Sequence, residues 1–134
     1  PAGSVFGAYH RTGDALLTAP GSRIEGIGRP RVEPSFIRTL VDRMEEVQDV
    51  DSIAAMRALS TLLGRRVGPS TGTNFVAMLT LAQQMPARGE QGSILSLLCD
   101  AGERYLPTYH DAAWVRRCMG DCAAAEQRLR ALLA

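Results

Sequence analysis

No lysine occurs anywhere in the 134 residues; all 15 basic side chains are arginine. A chain without lysine cannot form an internal Schiff base, so amine-based covalent catalysis is excluded for it on its own. Cysteine is scarce as well: Cys99, Cys118 and Cys122 are too few and too oddly numbered for a disulfide framework. Cys118 and Cys122 lie four apart with Gly120 between them, and neither His10 nor His110 stands at a ligand spacing from them, so no metal site is expected. Reduced thiols in a cytoplasmic protein are the expectation. The sequence holds no apolar run near membrane-spanning length and no signal-peptide pattern. A net charge of +1 argues against general attraction to nucleic acid or to a membrane surface.

What is present is the composition of an ordinary globular protein, 46% hydrophobic and 22% charged, enough for one core. The first residue is Pro1, not Met, which suggests a chain cut from something longer. Residues 1–35 are thick with Gly, Pro and Ser and read as a loop-rich segment; residues 36–134 read as the helix and strand portion. The spacing from Phe36 favours a helix, with the MEEVQDV end equally compatible with a short strand. Asp51 reads as the N-cap of a helix that stops at Gly64, and NFVAMLTLAQQM as a second helix ended by Pro86. Ser93–Cys99, SILSLLC, has the length and continuous apolarity of a buried parallel strand. A short helix at Ala112–Cys118 and a last one from Asp121 as N-cap to Leu133 complete the pattern. Helices alternating with buried strands indicate an α/β class, yet two or three strands are too few for a self-sufficient sheet.

Between the first two helical runs lies VGPSTGTNF, residues 67–75. Locally it permits two readings: a phosphate cradle of free N–H groups and hydroxyls at a helix N-terminus, or a helix entry in which Ser70 or Thr71 caps. It is not a P-loop, since the lysine and the glycine spacing are missing.

Three segments occur in order: RIEGIGRPRVEP at 23–34, VGPSTGTNF at 67–75 and CDAGERYLPTY at 99–109. Together with the opening PAGSVF they resemble the C-terminal part of the cysteine synthase and cystathionine β-synthase family, pyridoxal-phosphate enzymes of fold type II. The longer opening and GPSTGTN look closest to its cysteine desulfhydrase-like subgroup. The resemblance implies the C-terminal portion of a three-layer parallel-sheet α/β domain of the tryptophan-synthase-β type, incomplete on its own. It places Ser70 at the pyridine nitrogen of pyridoxal 5'-phosphate, Cys99 and Asp100 beside the ring, and Gly26, Ile27 and Gly28 on the substrate loop. Pro69, Thr71 and Cys99 depart from the family's commoner residues, without removing the pyridine contact.

The family's Schiff-base lysine and its phosphate and substrate loops belong to earlier sequence. The resemblance therefore implies no catalytic residue within these 134, and an inactive fragment that needs the N-terminal portion of the same enzyme. The intact protein is expected to be a homodimer acting on a small amino-acid substrate, cysteine or an activated serine, by β-elimination or β-replacement. The alternative is a non-catalytic interaction module that retains the second half of the fold.

Overall fold

The computed structural model describes residues 1–133, which form two compact units, one of Pro1–Asp49 and one from Val50 onward. The first unit contains a helix that its Gly and Pro content conceals. Helix α1, Val5–Thr12, starts at Ser4, whose side chain accepts from the Phe6 N–H at 3.3 Å, and stops at Gly13 in the left-handed region. Phe6 stacks on Phe36 with ring centroids 4.3 Å apart, and Tyr9 meets Phe36 edge-on. Residues 1–35 are thus not uniformly loop: a capped helix of eight residues with an aromatic face lies inside them.

The helix expected from Phe36 is absent. A single 3-10 turn, Arg38–Leu40, stands in its place, and the MEEVQDV stretch has no regular structure or strand partner until α2 begins at Asp49. The apolar spacing was compatible with a helix, but Ile37 and Leu40 remain 56% and 76% exposed. A short helix gains most of its stability from packing one apolar face, and here Phe36 and Val47 of the series are packed while Ile37 and Leu40 face solvent.

In the second unit, α2 spans Asp49–Leu63 and ends at Gly64, whose φ of +63° suits the left-handed position after a helix. Asp51 therefore lies within the helix rather than capping it, and its carboxylate receives Arg128 at 2.6 Å. Ile53 and Met56 on α2 are fully buried with Val67, Tyr105, Tyr109, Val115 and Cys122. Each large side chain so buried contributes roughly 1.5–3 kcal/mol. Helix α3, Pro69–Ala87, contains Pro86 in its last turn; α4, Ala112–Cys118, is capped by Asp111; and α5 runs Ala123–Leu133. Asp121 accepts from the Ala123 N–H at 3.0 Å, one residue outside its expected cap position.

The expected strand at 93–99 does not form. The segment has no regular secondary structure and no strand partner, its bonds going to α3 side chains at Leu97 and Cys99, with Leu95 95% and Leu97 71% exposed. Among the described residues there is no sheet; only isolated antiparallel bridges occur, Thr18 with Arg31 and Val67 with Ala101. A strand is held by hydrogen bonds to its neighbours, and an apolar run that finds no neighbour stays solvated coil. The α/β pattern is thus realised here in its helices alone.

Candidate functional site

VGPSTGTNF is mostly helix. Gly68 occupies the N-cap position and Pro69 the first helical one, where a preset φ and a missing N–H cost nothing, so Ser70, Thr71, Gly72, Thr73 and Asn74 form the first turns of α3. The reading of Ser70 or Thr71 as a cap is thereby corrected: Gly68 holds that position and no side chain caps the helix. The glycine after Thr71 has a packing role. A Cβ built on Gly72 would stand 2.0 Å from the Ser52 carbonyl oxygen and 2.8 Å from the Met56 nitrogen, so α3 crosses α2 backbone to backbone. Ser52 and Thr73 share a hydroxyl hydrogen bond of 2.7 Å beside that crossing.

The start of α3 is tied to the segment around Cys99 and Asp100 by several hydrogen bonds. Gly68 N–H donates to the Asp100 carbonyl at 3.1 Å, Cys99 N–H donates to Thr71 Oγ1 at 3.0 Å, and Asn74 Nδ2 donates to the Leu97 carbonyl at 3.2 Å. The Gly102 N–H donates to the Arg66 carbonyl at 3.3 Å, extending the pairing past the Val67–Ala101 bridge. Ser70, Cys99 and Asp100, 29 and 30 positions apart in sequence, are thereby held in one neighbourhood.

The hydroxyls there divide sharply. Thr71 is 1% exposed and engaged with Cys99; Thr73 is engaged with Ser52 and with the Pro69 carbonyl. Ser70, half-buried, has no hydrogen bond to any described residue and keeps a free donor and acceptor. Asp100 is held from one side only: Tyr105 donates its hydroxyl to Oδ2 at 2.6 Å, while Oδ1 is buried without a partner. A buried carboxylate oxygen left unpaired is costly, and this one packs against Gly68, where a Cβ would lie 2.0 Å from it. The Cys99 thiol is exposed, with Asn74 Nδ2 at 3.4 Å from its sulfur. Thr71 and Tyr105 position this cluster: the Thr71 bond spans 28 positions and leaves no local pattern, and Tyr105, five positions after Asp100, falls at no regular helix or strand spacing from it.

Gly26, Ile27 and Gly28 belong to the first unit, on a turn closed by hydrogen bonds from Ala19 N–H to the Pro30 carbonyl at 2.8 Å and Ser22 N–H to the Gly28 carbonyl at 3.1 Å. Asp49 pins the turn: one carboxylate oxygen accepts from the Ser22 hydroxyl at 2.8 Å and the other from the Arg23 N–H at 2.7 Å. Gly28 has φ +76° and a Cβ there would lie 2.2 Å from Ser22 Cβ, so the turn itself demands glycine. Gly26, at φ +84°, faces open space. Gly26, Ile27 and Gly28 all line an apolar cleft of about 270 Å³ with Ser4, Phe6 and Met44.

The family described as pyridoxal-phosphate dependent enzyme matches residues 2–100, and the chain belongs to it. Among its curated relatives, L-cysteine desulfhydrase Cds1 of Mycobacterium tuberculosis is 52% identical over 112 residues, covering 84% of this chain and 30% of its own length. N-(2-amino-2-carboxyethyl)-L-glutamate synthase of Cupriavidus metallidurans is 33% identical over 107 residues, 78% of this chain and 31% of its own. Cysteine synthase of Helicobacter pylori is 36% identical over 83 residues, 62% of this chain and 26% of its own. The chain thus spans less than a third of the length of each of these relatives.

Proposed function

We propose that these residues form the C-terminal part of a pyridoxal-phosphate-dependent enzyme of cysteine metabolism, working as a cysteine desulfhydrase. The observation that carries the reading is the free hydroxyl of Ser70, the one side chain among Ser70, Thr71 and Thr73 not consumed by the fold. The residues present fit the cofactor: a neutral hydroxyl donor at the start of α3, with the unsatisfied Oδ1 of Asp100 in the same neighbourhood. Bound, pyridoxal phosphate supplies the electron sink for elimination at the β-carbon of an amino acid.

In this reading Ser70 Oγ donates its proton toward the pyridine nitrogen. A hydroxyl, unlike a carboxylate, leaves that nitrogen without a full proton and so tempers the sink, which suits elimination and replacement better than transamination. Thr71 fixes the Cys99 backbone, and Tyr105 holds Asp100 by Oδ2, so both flanking residues are set before the cofactor arrives. Gly26, Ile27 and Gly28, held by Asp49 through Ser22 and Arg23, contribute the substrate loop. The 52% identity to a desulfhydrase favours sulfide release, with pyruvate and ammonia, over synthesis of cysteine.

The lysine that bonds the cofactor must come from sequence outside these residues, since none is present here. We therefore assign the chain a working context of an α/β domain of the tryptophan-synthase-β type, in which the unpaired 93–99 segment enters a parallel sheet. The working enzyme is then a cytoplasmic homodimer, and the 134 residues alone are inactive. No helix among the described residues is long and apolar enough to cross a membrane. The test is to assay the full-length protein with L-cysteine for sulfide and pyruvate, and with O-acetylserine plus sulfide for cysteine. Sulfide release dominating supports the reading; neither product forming, with cofactor bound, removes it.

A further inference from the structure

A second polar cleft, of about 430 Å³, opens in the second unit where α2 ends, lined by Arg57, Ser60, Thr61, Arg65, Arg66 and His110 around Gly64. It includes none of Ser70, Cys99 or Asp100, and no carboxylate lines it. Three arginines line one cleft, with Glu103 acting on its His110 from outside the lining, and an anion held among cationic side chains offsets their mutual repulsion.

The donors are largely unspent. Arg65 and Arg66 make no side-chain hydrogen bond or ion pair with any described residue. Arg57 gives one N–H to the Tyr109 carbonyl at 3.2 Å and retains the rest of its fork. His110 donates Nε2–H to the Val67 carbonyl at 3.3 Å, which orients its ring and leaves Nδ1 unengaged. The hydroxyls are occupied as donors, Ser60 on the Met56 carbonyl and Thr61 on the Arg57 carbonyl, so the guanidinium groups carry recognition. The C-terminal end of α2 favours nearby cations, yet neither Arg65 nor Arg66 bonds its last carbonyls. That helix end alone does not use up the charge gathered there.

We propose that this cleft binds the phosphoryl group of a small phosphate monoester. Guanidinium forks match the geometry of a phosphoryl dianion, which offers several acceptor oxygens at once. The cleft falls in the range of about 300–1,000 Å³ typical of small-molecule sites, larger than a bare oxyanion needs.

The test is calorimetric titration of the full-length, cofactor-loaded protein with adenosine monophosphate, inorganic phosphate and adenosine, alongside amide chemical-shift mapping. Adenosine monophosphate, rather than pyridoxal phosphate, keeps cofactor binding out of the readout. Saturable binding is expected, with shifts concentrated at residues 57, 60–61, 64–66 and 110 and about tenfold weakening in each of Arg65→Gln and Arg66→Gln. Both substitutions fall on exposed residues, and an unchanged melting temperature is expected for each. Tighter binding of the monophosphate than of phosphate supports the monoester; equal binding of both, with adenosine silent, keeps the site but assigns it to a free oxyanion. Adenosine binding as well as its monophosphate, unchanged affinity in both variants, or no saturation by ~10 mM overturns the site.

Discussion

The Cys99 backbone N–H donates to Thr71 Oγ1 at 3.0 Å, joining the first turn of α3 to the segment that carries Asp100. Thr71 is 1% exposed, so its hydroxyl is bound inside the protein and is not offered to a ligand. Thr71→Val keeps the shape and removes the acceptor. It should destabilise the chain by about 1–2 kcal/mol, while Thr71→Ser retains most of the stability. Urea midpoints of the two variants give the comparison; loss in Thr71→Ser with none in Thr71→Val would show that the methyl group matters and the hydroxyl does not.

Gly72 faces the α2 backbone so closely that a Cβ would lie 2.0 Å from the Ser52 carbonyl oxygen. Backbone cannot rotate away as a side chain can, so Gly72→Ala should cost about 3 kcal/mol despite the higher helix propensity of alanine. A melting temperature equal to or above that of the parent chain would mean that α2 and α3 separate without penalty.

His110 titrates below its ordinary value of 6.5, chiefly because burial disfavours the charged ring; Arg66 and Arg57 add to the shift, while the bond to Val67 and the charge of Glu103 oppose it. With the folded value depressed, the unfolded chain binds the proton first. The stability from this group is fully present above pH 6.5 and is lost as pH falls through the lowered folded value. Denaturation between pH ~7.5 and ~5 should show that decline, and His110→Gln should flatten it. An unchanged slope in the variant would assign the decline to other groups.

Cysteine reactivity should separate by position. Cys99 is exposed, whereas burial pushes the Cys122 thiol up from its ordinary range, with Arg57 partly opposing and Glu126, Asp121 and Asp51 reinforcing the shift. Thiolate is the reactive form, so iodoacetamide mapped by mass spectrometry should label Cys99 well before Cys122. Labelling of Cys122 first would contradict the packing of the core around Tyr109 and Val115.

Helix α4 and the Gly64 stop of α2 were legible because their signals are local: a capping aspartate, and a glycine placed where only φ > 0 continues the chain. Helix α1 was hidden because the Gly and Pro residues around it outweighed Ser4 and Gly13, the two that bound it. The stretch 93–99 was misread as a formed strand because apolar continuity records a preference for burial, while a strand also needs neighbours. For the candidate site, Ser70, Cys99 and Asp100 came from motif order. The contacts that assemble them, Thr71 to Cys99 and Tyr105 to Asp100, depend on the tertiary fold and leave no spacing in the sequence. The same holds for Asp49, which reaches back 27 positions to Ser22.

The central claim is that the free hydroxyl of Ser70 meets the cofactor's pyridine nitrogen, and a single substitution addresses it most directly. In the full-length, cofactor-loaded protein, Ser70→Asp places a carboxylate where the hydroxyl stood and should protonate that nitrogen. The expected result is an altered cofactor absorbance and turnover of L-cysteine slowed by about tenfold or more, with Ser70→Thr near the parent in both. An unchanged spectrum and an unchanged rate in Ser70→Asp would contradict the assignment.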